Sequence, residues 1–328
     1  MNREANLSPP LSTSGDGEFE GGCTDRVLII MENIEYYCGF ISIIGKPNVG
    51  KSTMLNKLIG EKISITADKP QTTRNKILGI KTINNKQAIY IDTPGICLKN
   101  YSKLNGLMNK AAKSSLKDAD LIMFVVENLS WDHQDEVVLR EINKIKNPPP
   151  VFLLLNKIDL ISDQKLLLPA IKKLTEKYNF AEVFPVSANK DINLNIVEEN
   201  IFNILPLAPH YFFDAITDQN LYFRSAEIIR EKLIRNLNQE LPYALNVQVN
   251  NITKPKNVYK IDATIWVEKV GQKKIIIGEN GAKLKTVGTQ ARLDLEKLFN
   301  DKVFLTLWVQ VKSNWTNDNN NLKMLNIC

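Results

Sequence analysis

The sequence predicts two folded domains, an α/β domain with a mostly parallel sheet followed by a smaller α+β domain. Strand and helix patterns alternate between residues 39 and 204, which is typical of a parallel sheet covered on both faces. A segment with two prolines and several aromatic residues follows at 206–218. After it the predicted order becomes helix, strand, strand, helix, helix, strand, and a chain of 328 residues is long enough for both units.

The elements of the first domain follow from the runs of apolar residues. Strands are expected at 39–44, 76–83, 87–92, 121–126, 151–156 and 183–186, and helices at 52–59 and 194–204. Further helical patterns follow the strands at 121–126 and 151–156. The second domain is expected to contain helices at 225–238, 272–277 and 281–299, and strands at 244–250, 259–267 and 303–311.

Composition narrows the class of protein only in part. No apolar run reaches the roughly 18 residues that span a bilayer. The four cysteines show neither metal-ligand spacing nor a disulfide framework, so a reducing, cytoplasmic location is expected. The net charge is +6, and the chain from residue 211 onward holds 17 Lys and Arg against 12 Asp and Glu. This excess is compatible with RNA binding, or simply with a solvated basic face.

The first residues are expected to form a disordered extension, because they are rich in Ser, Pro and Gly. They lack the basic start and apolar stretch of a signal peptide and are too acidic for a mitochondrial transit sequence. Met31 is an alternative start. The predicted boundaries are 1–38 for the extension, 39–206 for the first domain, 207–220 for a linker, 221–315 for the second domain and 316–328 for a tail.

A glycine-rich loop after the first strand predicts a phosphate-binding P-loop. Residues 45–52 match G-x-x-x-x-G-K-S between a strand and a helix, so backbone N–H groups and the helix terminus face the phosphates. Lys51 is expected to neutralise the β- and γ-phosphates and Ser52 to bind Mg²⁺. The predicted phosphate-binding residues are Gly45, Lys46, Pro47, Asn48, Val49, Gly50, Lys51, Ser52 and Thr53.

Two later motifs predict that the base is guanine. Asn156-Lys157-Ile158-Asp159 follows an apolar strand, and the Asp159 carboxylate can accept from guanine N1 and N2, which adenine cannot match. Lys157 can cover the base, and Asn156 can brace the loop or reach N7. Ser187, Ala188 and Asn189 follow the last strand and are expected to contact guanine O6. Together with the P-loop these motifs predict a GTP- or GDP-binding G domain.

Two segments between these motifs are expected to respond to the γ-phosphate. A Thr hydroxyl from Thr72 or Thr73 can bind Mg²⁺ when the γ-phosphate is present, and Asp92 can reach the metal through water. Ile96 stands where Ras-like proteins carry a Gln that orients the attacking water, so slow hydrolysis is expected. The predicted switch residues are Thr72, Thr73, Asp92, Thr93, Pro94, Gly95 and Ile96.

A G-x-x-G turn in the second domain predicts an RNA-binding type II KH fold. Gly278 and Gly281 lie between a short helix and a long one, where an RNA backbone can approach closely. A plain helix–turn–helix junction is the alternative for the turn taken alone. The predicted RNA-binding residues are Lys273, Lys274, Ile277, Gly278, Glu279, Asn280, Gly281, Lys283 and Lys285.

From about residue 39 to residue 315 the chain resembles the Era family of bacterial GTPases. The motifs at 45–52 and 71–74 resemble those of the family. So do the segments 226–232, 240–243, 277–281 and 288–292 and the closing strand 307–312 with Trp315. Glu279 departs from the family, which usually carries a basic residue there.

The resemblance implies a nucleotide-gated factor that binds small-subunit (16S) rRNA near its 3′ end and assists 30S subunit biogenesis. It also implies peripheral association with the inner membrane, a monomer, and Thr73 rather than Thr72 as the Mg²⁺ ligand. Asn48 is similar to a P-loop Asn that helps to hold a K⁺ ion in related GTPases.

Three other classes remain alternatives. A tRNA-modification GTPase of the MnmE type would carry a C-terminal Cys-x-Gly-Lys, and a double GTPase of the Der type would carry a second P-loop; neither motif is present. A scaffold that binds GTP without hydrolysing it remains compatible with Ile96.

Overall fold

The computed structural model describes residues 35–318, except residues 68, 70, 71, 97–102, 128, 130, 238–240, 242 and 243. Residues 1–34 of the predicted extension and 319–328 of the predicted tail therefore lie outside the described residues. Two residues of the predicted extension, Tyr37 and Cys38, instead begin the first strand, because Cys38 fills a small core cluster beside Ile80 and Ile89.

The first sheet has six strands in the order β2-β3-β1-β4-β5-β6. Its neighbours pair in parallel except β2, which is antiparallel to β3. The parallel strands read as unbroken apolar runs because both faces are covered. The strands are β1 Tyr37–Ile44, β2 Ile77–Ile83, β3 Lys86–Asp92, β4 Leu121–Glu127, β5 Val151–Asn156 and β6 Glu182–Pro185.

Helices cover both faces of this sheet, as the alternating pattern predicts. Leu55 of α1 and Val197 of α5 belong to the core on one face, whereas Ala112 of α2, Val138 of α3 and Leu174 of α4 belong to the core on the other. The helices are α1 Lys51–Ile59, α2 Lys103–Ser115, α3 His133–Asn143, α4 Leu167–Thr175 and α5 Leu194–Asn203.

The segment after α5 is not a free linker, because it is hydrogen-bonded to the first sheet. The buried Gln87 side chain accepts the N–H groups of Tyr211 at 2.9 Å and Phe212 at 3.1 Å, and it donates to Phe212 O at 2.8 Å. In addition, the N–H of Ile80 on β2 donates to Ile216 O at 2.9 Å. This anchoring fixes where the second half of the chain begins.

The second sheet has three strands in the order β7-β8-β9, with β7 and β8 antiparallel and β8 and β9 parallel. Three helices pack on one face through a core that includes Ile229, Ile276 and Ala291. The elements are α6 Leu221–Asn236, β7 Leu245–Thr253, β8 Val258–Val267, α7 Val270–Ile277, α8 Ala282–Phe299 and β9 Lys302–Val311. The predicted order is confirmed, although α6 begins earlier because the Asn220 side chain caps its start at Phe223 N–H.

Candidate functional site

The loop between β1 and α1 has the backbone of a phosphate cradle. Gly45 and Gly50 have positive φ values of 152° and 100°, and added Cβ atoms would lie 2.3 Å from Val125 O and 2.2 Å from Asn156 Nδ2. α1 begins at Lys51, whose buried Nζ donates to two carbonyls of the loop at 2.9 and 3.2 Å. A helix amino terminus and such a lysine are groups that bind phosphate oxygens.

Lys46 belongs to this loop, but its side chain points to α3. Its Nζ lies 2.7 Å from Asp132 Oδ2 and 2.9 Å from Asp135 Oδ2, and Asp132 caps the amino end of α3. Burial alone would lower the pKa of Lys46, but the two carboxylates outweigh it and the pKa is raised. The side chain therefore ties the loop to α3, and the phosphate-binding prediction for Lys46 can apply only to its backbone N–H.

A cluster of oxygen atoms lies at the start of α1. Ser52 Oγ donates to Asp92 Oδ2 at 2.7 Å and lies 2.8 Å from Thr73 Oγ1, while Ser64 Oγ donates to Asp92 Oδ2 at 2.9 Å. Asp92 is fully buried, its other oxygen Oδ1 has no hydrogen-bond partner, and burial raises its pKa. A buried, oxygen-only donor set with an unpartnered carboxylate oxygen fits Mg²⁺.

The structure separates the two threonines that the sequence offered for this cluster. Thr73 Oγ1 lies beside Ser52 and 3.4 Å from Asp92 Oδ2. Thr72 Oγ1 instead donates to Lys69 O at 2.6 Å. Only the Thr73 hydroxyl lies in the oxygen cluster, and this favours Thr73 over Thr72 as a metal ligand.

The loop after β5 is tied to the phosphate loop and to the loop after β6. Asn156 Nδ2 donates to Val49 O at 2.7 Å and its Oδ1 accepts Ala188 N–H at 2.9 Å, so Asn156 acts as a brace. Ser187 Oγ donates to Asp159 Oδ1 at 2.5 Å, which holds the Asp159 carboxylate in place. Lys157 has a φ of 65°, and its Nζ donates to Glu127 at 2.8 Å.

The segment after β3 contacts the phosphate loop through a glycine. A Cβ atom at Gly95 would lie 2.7 Å from Pro47 N, so only Gly allows this approach. Ile96 is 3% exposed and packs in the core beside Ala112 and Phe124. Its side chain therefore belongs to the core and does not line the cavity.

Most of the predicted nucleotide-site residues line one cavity of about 530 Å³, a size usual for small-ligand sites. They come together because parallel strands end at the same sheet edge. The predicted residues that line it are Pro47, Asn48, Gly50, Lys51, Ser52, Thr53, Thr72, Thr73, Thr93, Gly95, Asn156, Lys157, Asp159, Ala188 and Asn189. Those that do not are Gly45, Lys46, Val49, Asp92, Pro94, Ile96 and Ser187.

The G-x-x-G turn lies elsewhere, beside a second and shallower cleft of about 560 Å³. Gly278, Asn280 and Gly281 all have positive φ values. Gly278, Glu279 and Lys283 line the cleft, whereas Ile277 packs against the domain core. The other predicted residues, Lys273, Lys274, Asn280, Gly281 and Lys285, do not line it.

The segment that carries Thr72 and Thr73 is bonded directly to the second domain. Arg230 Nη2 of α6 donates to Thr72 O at 2.5 Å, and Arg74 Nη1 donates to Leu245 O of β7 at 2.7 Å. Both guanidinium groups are buried. Burial and the charge of Arg230 lower the pKa of Arg74 to about 9.

Trp315 completes this junction from the carboxyl end of the second domain. It is fully buried against Leu104 and Met108 of α2 and half-buried Trp266 of β8. The Arg74 guanidinium lies over its ring at 5.8 Å. The segment that carries Thr72 and Thr73 and the helix α2 therefore both contact the second domain.

Sequence reasoning missed several residues that support the site: Asp132, Asp135, Ser64, Glu127 and Arg230. For one pair a local signal existed, because Asp132 and Asp135 have the spacing of a capping box at the start of α3. For the others the partners are distant in sequence, and nothing local marks them.

Two family models match the chain, "50S ribosome-binding GTPase" over residues 40–157 and "KH domain" over residues 240–316. GTPase Era of Marinobacter nauticus is 46% identical over 295 residues, covering 90% of this chain and 96% of that protein. GTPase Era of Yersinia enterocolitica is 47% identical over 291 residues, covering 88% and 95%.

Two solved structures are similar over nearly the same length. One is Era in complex with MgGDPNP and nucleotides 1506–1542 of 16S ribosomal RNA, with a TM-score of 0.86, 38% identity and coverage of 89% of this chain and 99% of that one. The other is a variant of Aquifex aeolicus Era bound to GDP.AlF4−, with a TM-score of 0.85, the same identity and the same coverages.

The fold and the cavity define a class of protein, a P-loop GTPase whose G domain is followed by an α+β KH domain. Identity of this level over nine-tenths of the chain defines the family more closely. The chain belongs to the Era family of GTPases. Among the described residues, no helix combines the length and apolar character needed to cross a bilayer.

Proposed function

We propose that this chain is a GTP-hydrolysing switch that binds small-subunit rRNA near its 3′ end and assists 30S subunit biogenesis. The observation that carries the proposal is the similarity, over 89% of the chain, to Era in complex with MgGDPNP and nucleotides 1506–1542 of 16S rRNA. The cavity at the sheet edge and the separate G-x-x-G cleft supply a place for each ligand.

In this proposal Asp159 selects guanine, and Lys51 with the α1 amino terminus binds the phosphates. Ser52 and Thr73 would hold Mg²⁺, with Asp92 reaching it through water, and the ion would neutralise charge on the β- and γ-phosphates. The support is the oxygen cluster at Ser52 and the unpartnered Asp92 Oδ1. The Ser187 hydroxyl keeps the Asp159 carboxylate oriented for the base.

Hydrolysis is expected to be slow because Ile96 lies in the core and offers no polar group to the water. We include K⁺ in the proposal as a second cation, with Asn48 as its ligand, because Asn48 lines the cavity on the phosphate loop. Turnover measured in K⁺ and in Na⁺ buffers tests this part, and equal rates would exclude it.

The proposal places the protein in the cytoplasm as a monomer, with a fraction at the inner face of the membrane. Exposed Leu166 and Leu168 with Lys172 and Lys173 at α4 offer apolar and basic contacts to an anionic lipid surface. Co-sedimentation with anionic vesicles tests the membrane contact, and light scattering after gel filtration tests the monomer. Absence of the protein from the vesicle pellet would exclude the contact.

The central experiment measures RNA binding and single-turnover hydrolysis in one preparation. RNA equivalent to nucleotides 1506–1542 of 16S rRNA is titrated into the protein loaded with GDP or with a GTP analogue, and tighter binding is expected with the analogue. Hydrolysis should be measurable and should change when this RNA is added. Nucleotide binding without hydrolysis, with or without RNA, would instead identify a GTP-binding scaffold.

A further inference from the structure

The face of the second sheet that is turned away from the helices carries two exposed aromatic side chains. Phe304 and Trp308 of β9 are 60% and 59% exposed. Their neighbours on the strand, Val303 and Val309, are buried in the core with α8. The aromatic rings are therefore not part of the core of this domain, and Trp and Phe side chains are enriched at binding interfaces relative to the rest of a protein surface.

The parallel register of β8 and β9 defines the rest of this surface. Lys260 pairs with Phe304, Asp262 with Thr306, and Thr264 with Trp308. We call five of these residues the open sheet face: Lys260, Asp262, Phe304, Thr306 and Trp308; Thr264 is only 4% exposed and is not part of it. Phe304 and Trp308 are four residues apart on one strand, which separates them by about 13 Å.

The charge around the open sheet face is mainly positive. Lys260 and Lys302 are exposed at one end, and Lys312 lies over the Trp266 ring at 5.4 Å at the other. Asp262 is an acidic residue of the face itself and is half-buried between its neighbours. Aromatic rings with lysines beside them combine the stacking and phosphate contacts that single-stranded RNA uses on sheet surfaces.

We propose that the open sheet face is a second RNA-binding surface, on which unpaired bases stack on Phe304 and Trp308 while lysines contact the phosphates. The inference rests on the proposed function, because it concerns another segment of the same RNA. A G-x-x-G cleft clamps about four nucleotides, whereas the RNA of the similar complex comprises nucleotides 1506–1542. An RNA of that length can occupy the cleft and continue on the opposite face of the domain.

The test compares two RNAs on the full chain loaded with a GTP analogue. One RNA is equivalent to nucleotides 1506–1542 of 16S rRNA, and the other is a single-stranded oligonucleotide from its 3′ end of about four nucleotides, the length of the cleft. Trp308→Ala is expected to weaken binding of the long RNA about five-fold or more, because one stacked base contributes at least that factor. It should leave binding of the short RNA and of GTP unchanged.

Matched variants complete the test. Leu293→Ala removes a 49% exposed apolar side chain from α8 of the same domain and should leave both RNA affinities unchanged. Trp308→Phe should keep most of the affinity, because an aromatic ring remains. Phe304→Ala should act as Trp308→Ala does, and 4-thiouridine in the long RNA should crosslink to β9.

The outcomes separate this inference from the proposed function. If the unaltered protein fails to bind the long RNA, the proposed function fails. If the unaltered protein binds it and the two alanine variants bind equally well, the open sheet face does not contact RNA, and a protein partner becomes its occupant. An equal loss for the short and the long RNA would show that the variants disturb the cleft, which also contradicts a second surface.

Discussion

Asn156 offers a direct test of how the cavity is held together, through the substitution Asn156→Ala. Its amide donates to Val49 O at 2.7 Å and accepts from Ala188 N–H at 2.9 Å. All three residues are at most 2% exposed. The substitution therefore removes the hydrogen-bond partner of a carbonyl in the phosphate loop and of an N–H in the loop after β6.

The magnitude follows from those two groups. A buried polar group without a partner costs about 1–3 kcal/mol, so the two together correspond to about 2–6 kcal/mol. Every 1.4 kcal/mol changes an equilibrium constant about tenfold. Because a bound nucleotide needs both loops in place, we expect the Kd for GDP to rise at least about tenfold.

The assay is a titration with a fluorescent GDP analogue, with circular dichroism melting to monitor the fold. Asn200→Ala is the control, since its Nδ2 also donates one hydrogen bond, to Ile196 O at 2.8 Å, but on α5 away from the cavity. Asn156→Asp keeps the acceptor for Ala188 and places a carboxylate oxygen against Val49 O, so it should be no tighter than Asn156→Ala. A Kd within two-fold of the unaltered protein for Asn156→Ala would refute the brace.

Three further predictions concern the two ligand sites and the junction between them. Lys51→Ala should abolish nucleotide binding, because its Nζ is the buried ammonium at the phosphate loop, and micromolar GTP affinity in a titration would contradict the site. Gly278→Asp should weaken RNA binding in a filter assay and leave GTP binding intact, because an added Cβ meets Lys283 at 2.8 Å in the other cleft; a joint loss would contradict separate sites. Asp294 contacts Lys232 and Lys62; burial opposes this charge, but the lysines outweigh burial and lower its pKa. Its stabilising effect is therefore present above about pH 4 and lost as pH falls through the lowered pKa, so Asp294→Asn should flatten the acid side of the unfolding free energy measured with urea.

The positions of the motifs could be predicted because each follows the carboxyl end of a strand in the first sheet. Apolar runs identify those strands, and parallel pairing brings their ends to one edge. This is why Asp159 and Ala188 reach the cavity that Lys51 enters from another loop. The domain order was also predictable, because the segment at 206–218 and the change in the order of helices and strands after it can be read in the sequence.

The supporting contacts could not be predicted, because they depend on tertiary packing between distant segments. Lys46 looked like a phosphate ligand, but its charge is matched by Asp132 and Asp135 on α3. Ile277 looked like part of the RNA turn, yet its side chain packs into the domain core. In each case the residue type is compatible with two environments, and only the neighbour brought in by the fold decides between them.

The contact of Arg230 with Thr72 gives a physical reason for the two domains to respond together. Arg230 is 1% exposed, and its hydrogen bonds go to Thr72 O and to Glu227 on its own helix. Its Nη1 already has no hydrogen-bond partner, so losing the Thr72 carbonyl would leave a second donor of a buried cation unpaired, which is costly. Thr72 and Thr73 are adjacent, so a shift of Thr73 toward or away from a bound metal would also move the Thr72 carbonyl, and α6 would have to follow that carbonyl or give up its bond. Since α6 packs on α8, next to the G-x-x-G turn, we expect a change at the phosphate end of the cavity to reach the RNA cleft through the contacts of Arg230 and Arg74.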